Sequence, residues 1–335
     1  MGDKMKISEI DKKMVDNNQE EGSNCHWYDL NNDYICGSYC LDKFSRLKET
    51  DFVSQSVNTL KKHTSGLNIS FKTNSSFIRI RAVVNGPAYM SHMTAVGTIG
   101  FDLYYKHEGK FVFLNTTKVN KSEYEVVFVE NMEKTQREFK IYFPLYQGVK
   151  EAYVGVEEGC EFEFTKEQRE KVVIYGTSIS QGGCATRPGM GYSNILERMT
   201  KYEFINLGFS GSAHLENEMI DILNSIEKKY LILEVESNNS VDAMYKLLPG
   251  FVEKLVCDKI ILISKFPNPM NLVLAAPKLA MEKNKELQNN IKNVIFIDGE
   301  ELLKDLSYEE TVDGAHLTDL GFFELAKRLK DYLKD

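Results

Sequence analysis

The sequence predicts an antiparallel β-sandwich followed by an α/β domain built on a parallel sheet. From about Trp27 to Phe164, short alternating runs are separated by Gly, Asn, Lys and Glu clusters, with no helical stretch between them. Strands at that spacing argue for an antiparallel sandwich or barrel. Beyond Glu170, apolar runs alternate with helical patterns, which implies a parallel sheet covered on both faces. A length of 335 residues accommodates two such domains at roughly 100–200 residues each.

Taken in order, residues 1–22 are polar and lack aromatics, and read as a loose tail. Residues 23–166 form the predicted sandwich, with strands at Leu67–Phe71, Phe77–Val84, Phe101–Tyr105, Lys110–Leu114, Tyr124–Val129, Glu138–Phe143 and Ala152–Val156. Thr165–Glu170 is a charged connector. Residues 167–335 form the α/β domain, with strands at Val172–Tyr175, Phe204–Leu207, Leu231–Val235, Ile260–Ile263 and Val294–Ile297. Leu215, Met219, Ile222, Leu223 and Ile226 mark one helical face, and Phe322, Ala326, Leu329 and Leu333 another. Thr318 or Asp319 is the expected N-cap of that last helix.

Composition narrows the function. The hydrophobic share of 42% and the charged share of 27% are those of an ordinary globular protein. The net charge of −8, with no Lys/Arg-rich block, gives nucleic acid nothing to bind. No apolar run approaches the roughly 20 residues of a membrane helix, and the N-terminus lacks a secretory apolar core. Six scattered cysteines, with only Cys36 and Cys40 close together, predict reduced thiols and a cytoplasmic location. The oligomeric state is not encoded in any of these features.

In open α/β sheets, ligands bind beyond the carboxyl ends of the strands. Gly176-Thr177-Ser178-Ile179-Ser180-Gln181-Gly182-Gly183 follows the first strand, and Gly208-Phe209-Ser210-Gly211-Ser212 the second. Glu236-Ser237-Asn238-Asn239 follows the third, and Thr311-Val312-Asp313-Gly314-Ala315-His316 precedes the last helix. A hydroxyl, a Gly-rich turn, a carboxamide and an Asp/His pair thus arrive at one edge. That is the inventory for acyl transfer: nucleophile, oxyanion donors, base and orienting carboxylate. The Gly-rich turn lacks both a P-loop ending and GxGxxG, so phosphate binding is disfavoured.

These segments, YGTSISQGGCATRPGMGY, INLGFSG, the Asn after the third strand and VDGAHLTDLGF, resemble the SGNH (GDSL-type) hydrolases. GFDLYY at Gly100–Tyr105 and YFPLYQGV at Tyr142–Val149 resemble the GxDLY sandwich that precedes a subgroup of them. The resemblance covers roughly residues 25–335. It implies a jelly-roll-like sandwich ahead of a flavodoxin-like α/β/α hydrolase domain. It also implies Ser178 as nucleophile, His316 as base, Asp313 as orienting acid, and an oxyanion hole from the Ser178 and Gly211 N–H groups with the Asn238 amide. The implied activity is hydrolysis of a small acyl ester, acetyl on a sugar or polyol, with no metal or organic cofactor. An acyltransferase using the same residues, or a carbohydrate-binding protein with a vestigial hydrolase domain, are the alternatives.

Other residues divide as follows. Ser180 is read as structural, Cys184 as a small buried filler, Asp319 as a helix cap, and Asn239 as second to Asn238. Arg187 and His214 are candidate substrate contacts. Leu317, Ser212-Ala213-His214 and Glu236-Ser237 depart from the subgroup pattern and are expected to line the pocket. Asp102 and Tyr104 are expected in domain-interface or sandwich-packing roles rather than in chemistry. His26, His63, His92 and His107 lack ligand spacing and read as surface or core. Sandwich loops near the Tyr89–His92 turn are expected to overhang Ser178, the alternative being that the sandwich only covers apolar surface or builds an oligomer contact.

Overall fold

The computed structural model describes residues 7–11, 14, 24–40 and 44–334. Most of the expected tail therefore lies outside the described residues; within it, Ile7–Ile10 form one helical turn.

Nine strands precede the connector: β1 (Cys25–Asp29), β2 (Asn68–Thr73), β3 (Ile78–Val84), β4 (Asp102–His107), β5 (Lys110–Thr116), β6 (Glu123–Val129), β7 (Arg137–Tyr142), β8 (Val149–Glu157) and β9 (Phe162–Thr165). They pair antiparallel in two sheets, β1-β8-β3-β6 and β5-β4-β7-β2-β9. The period-2 alternation seen in the sequence turns Ile78, Ile80, Ala82 and Val84 of β3 and Phe139 and Ile141 of β7 into one core. Two short helices, Gln55–Leu60 and Ala95–Ile99, interrupt a stretch predicted to be free of helix. Each is too short to show a 3.6-residue period. Ala95–Ile99 is fixed by its cap, Thr94 accepting from the Gly97 N–H.

The second half holds β10 (Lys171–Gly176), β11 (Glu203–Gly208), β12 (Tyr230–Glu234), β13 (Lys259–Ile263) and β14 (Val294–Ile297). They form a parallel sheet in the order β11-β10-β12-β13-β14, the flavodoxin-like arrangement. Val172, Ile174, Ile232 and Ile261 face the helices Tyr192–Met199 and Asp319–Leu329. Val173, Tyr175, Ile205 and Leu233 face Asn217–Ser225 and Val241–Glu253. Among the described residues no helix is long and apolar enough to cross a membrane, and all six cysteines are free thiols.

The two halves share cores. Met93, Leu145 and Tyr146 belong to the first face of the parallel sheet, and Leu47 and Val57 to the second. Polar ties reinforce this. Gly37 donates to Glu203 Oε1 (2.8 Å) and Ser65 Oγ to the Gln181 carbonyl (2.5 Å). The fully buried Arg46 donates to the carbonyls of Asn206 and Gly208. Asp102 accepts from Arg187 Nη1 (2.7 Å) and the Gly189 N–H (2.8 Å), an interface role as expected from its motif.

Glu197 is the most demanding of these ties. Its carboxylate takes Lys140 Nζ at 2.5 Å, Arg169 Nη2 at 2.6 Å and the Tyr142 hydroxyl. Burial opposes its charge, but the two cations and the hydrogen bonds prevail and hold the carboxyl at about 2. Below its usual value of 4.5 this group therefore loses stabilising charge progressively down to about pH 2. Replacing Glu197 by Gln strands two cations and is expected to cost about 3–5 kcal/mol. Urea unfolding at neutral pH measures it; a loss below about 1 kcal/mol would show the network to be dispensable.

Candidate active site

The site forms where the strand order reverses, between the ends of β10 and β12. Gly176 and Gly208 are register partners at the ends of β10 and β11. A Cβ on Gly176 would lie 2.1 Å from Ser180 Oγ, and one on Gly208 2.3 Å from the Gln181 nitrogen. Only because both are glycine can the one-turn helix Ser178–Gln181 lie flat across the strand ends. Thr177 caps that helix, accepting from the Ile179 N–H, so Ser178 emerges at its first position.

Ser178 Oγ is 2.9 Å from His316 Nε2, and His316 Nδ1 is 2.8 Å from Asp313 Oδ2. The other carboxylate oxygen of Asp313 accepts the backbone N–H groups of Ala315 (3.0 Å) and His316 (2.8 Å). Burial works against the charge on Asp313, but these bonds outweigh it and hold the carboxyl at about 2. The three residues form a hydroxyl–imidazole–carboxylate line able to pass a proton from oxygen to imidazole and stabilise the cation that results.

Beside Ser178 lies an open cavity of about 360 Å³. Gly211, at φ +65° with open space where a Cβ would be, and Ser210 line it from the end of β11. Ser237 and Asn238 line it from the end of β12. Asn238 Oδ1 accepts the Ala213 N–H (3.1 Å), which leaves the amide nitrogen as the end able to donate. Asn239 is consumed by the carbonyls of Ala213 and Val235.

The fourth strand end, Lys265, Phe266, Pro267 and Asn268, completes the lining. Sequence reading overlooked it, although the strand-end rule that located the other segments applies equally to β13. Arg187 is not brought to this cavity: it is paired with Asp102 and bonded to Tyr104. His214 is exposed and outside the lining. Leu317 also departs from expectation, packing fully buried in the core, and Glu236 turns inward to Lys265 N, Asn284 and Gln288. Asp319 is the first helical residue rather than the cap; its carboxylate accepts the Thr186 N–H and hydroxyl.

The antiparallel half reaches the site from the other side. The Tyr146 hydroxyl approaches the Ser178 carbonyl (3.4 Å) and Ser210 Oγ (3.3 Å). The His92 ring lies edge-on to His316, centroids 5.7 Å apart. The expected turn thus meets the imidazole rather than roofing the cavity. Cys184 is buried, in the left-handed region at φ 76°, and burial together with Asp313 pushes its thiol up to about 12.

Beneath Ser178, one oxygen of the buried Glu234 accepts from the Thr177 N–H (3.2 Å), Thr177 Oγ1 (2.7 Å) and Ser180 Oγ (2.9 Å). Ser180 is also bonded to Tyr192, which accounts for it structurally. Burial pushes Glu234 up to about 7 despite these bonds. Its folded pKa is raised, so ionising it costs stability: the wild type should lose stability as pH climbs from 4.5 to about 7. The Glu234→Gln variant should lack that decline. Urea midpoints at about pH 5 and about pH 8 compare the two, and parallel trends would exclude Glu234 as the source.

Comparison with known proteins agrees with this architecture. Residues 169–334 match the GDSL-like lipase/acylhydrolase family, and residues 25–162 match the GxDLY N-terminus of SGNH-hydrolase-type esterases. No curated protein matches the sequence. Among solved structures, a GDSL-like lipase from Bacteroides ovatus ATCC 8483 is 30% identical with a TM-score of 0.86, over 92% of this chain and 97% of that one. The salicylyl-acyltransferase SsfX3 of a tetracycline biosynthetic pathway shares the fold at 16% identity and TM-score 0.72, over 92% and 96%. An acetyl xylan esterase, Est2A, from the rumen bacterium Butyrivibrio proteoclasticus does so at 13% and 0.52, over 92% and 98%.

Proposed function

The chain belongs to the GDSL-like lipase/acylhydrolase family, and on that footing we propose that it is a serine esterase removing small acyl groups, acetyl above all, from a carbohydrate or polyol. The unbroken line Ser178 Oγ–His316–Asp313, with both links under 3 Å, carries the reading. As Ser178 Oγ attacks the ester carbonyl, His316 Nε2 takes its proton. Asp313 stabilises the imidazolium, and with its carboxyl at about 2 it is ionised throughout the neutral range. The oxyanion accepts from the Ser178 and Gly211 N–H groups and the Asn238 amide. His316 then protonates the departing alcohol, and water repeats the sequence on the acyl-enzyme.

The cavity lining supports a polar carrier. Ser210, Ser237, Asn238, Asn268 and Lys265 offer hydroxyl, amide and ammonium groups, while Phe266 behind them is buried in the core. The fold shared with an acetyl xylan esterase makes acetylated sugars the first substrates to test. Release of acetate from acetylated sugars and from simple aryl esters should be measured with and without an added alcohol. Hydrolysis unaffected by the alcohol supports an esterase; acyl transfer to it would make the same triad that of an acyltransferase, and no turnover would defeat both.

Removal of the groups should grade as their roles do. Ser178→Ala and His316→Ala should each lower kcat by about 10⁶-fold, and Asp313→Ala by roughly 10⁴-fold. A fluorophosphonate should label once, at Ser178. Mass-spectrometric assignment of the adduct to Ser180, or an active His316→Ala enzyme, would refute the triad.

A further inference from the structure

His92, Cys184 and His316 come from three separate segments: a turn of the antiparallel half, the loop after the Ser178 helix, and the loop before the last helix. One potential ligand atom from each lies within 4.8 Å of the other two. We propose that this trio is an inhibitory site for a zinc-class divalent cation, and that metal binding and ester chemistry exclude each other.

The donor set fits such an ion. One thiolate and two imidazoles are the ligands zinc favours over magnesium or calcium. Three protein ligands leave a fourth, water-filled position on a tetrahedral ion. Zinc–sulfur and zinc–nitrogen bonds place such ligand atoms about 3.3–3.6 Å apart, so the trio must close by roughly 1 Å. His92 supplies that movement, because it is exposed on a turn, whereas Cys184 is buried and His316 is bonded at both ends. On coordination the Cys184 thiol releases its proton to solvent and the metal takes the sulfur lone pair.

Exclusion follows from the two bonds of His316. Nε2 is committed to Ser178 and Nδ1 to Asp313. Whichever nitrogen the metal takes, one bond of the triad is lost. The metal is therefore a brake on the reaction and not a cofactor for it. The brake needs both halves of the chain, since His92 belongs to one and His316 to the other.

Zinc, cobalt and magnesium chlorides added to the purified full-length chain test this. Zinc should suppress ester turnover, a chelator should restore it, and magnesium should do neither. His92→Ala and Cys184→Ser, each referred to its own metal-free rate, should raise the half-inhibitory zinc concentration by at least the roughly 10–100-fold that even an outer-shell partner is worth. Cobalt bound to the wild type and to Ser178→Ala should give a thiolate-to-metal charge-transfer absorption that Cys184→Ser lacks. That absorption needs no turnover, so it stands or falls independently of the esterase reading. A wild type without the cobalt–thiolate band, or variants inhibited at the wild-type zinc concentration, would overturn the proposal.

Discussion

Arg46 carries a guanidinium into the interior, where its two terminal nitrogens bond to backbone carbonyls and its Nε is left without a partner among the described residues. It has no solvent exposure, and its hydrogen bonds run to the carbonyls of Asn206 (3.1 Å), Gly208 (2.6 Å) and Leu60 (2.8 Å). The Phe209 ring lies 4.8 Å below it. Among the described residues no carboxylate pairs with it, and burial pulls its pKa down to about 9. Desolvating such a charge costs several kcal/mol, so the acceptors have to be held where it needs them. Two of them end β11, and the chain leaving that strand becomes Ser210 and Gly211. A residue of the first half thereby sets the direction of a loop that lines the cavity of the second.

Gln181 extends the same logic to the Ser178 helix. Its amide nitrogen donates to His63 Nδ1 (3.0 Å) and the Leu145 carbonyl (3.2 Å), while its oxygen accepts the Ser210 N–H (2.9 Å). Burial drives the His63 pKa down to about 3. The imidazole is therefore neutral and keeps a lone pair to accept with. A glutamine one turn beyond Ser178 thus joins two segments of the antiparallel half to the loop carrying Gly211. The loops of the site are tied to a buried polar network, with the carboxylate of Glu234 bonded directly beneath Ser178.

The sequence was informative wherever a local rule applied. Period-2 alternation located most strands of the antiparallel half, which bury one face, and continuous apolar runs located those of the parallel sheet, which bury both. The carboxyl-end rule and the motif resemblance located Ser178, Gly211, Asn238, Asp313 and His316, which the structure brings to one edge. Asn238 and Asn239 are indistinguishable by type, and only the hydrogen bonds of Asn239 to Ala213 and Val235 separate them. Residues positioned by docking of the two halves left no local trace. His92 reaches His316 and Tyr146 reaches Ser178 across the interface, and nothing in their neighbours' spacing encodes that. Arg187 looked available for substrate because its partner, Asp102, lies 85 residues away in sequence.

The sharing of cores between the halves also has a temporal side. Arg46 and Asn206 are separated by 160 residues, and translation proceeds at roughly 5–20 residues per second, so about 8–32 s pass between their syntheses. The antiparallel strands can pair as soon as Thr165 is made. The segment from Arg46 through Val57 cannot settle, because Leu47 and Val57 belong to a core whose other members do not yet exist. A nascent chain therefore presents an unpaired guanidinium beside uncovered aliphatic surface until the parallel sheet emerges. For that interval its solubility depends on whatever shields the ribosome exit, and an insertion that lengthened the stretch between the halves would prolong the exposure without altering any native contact.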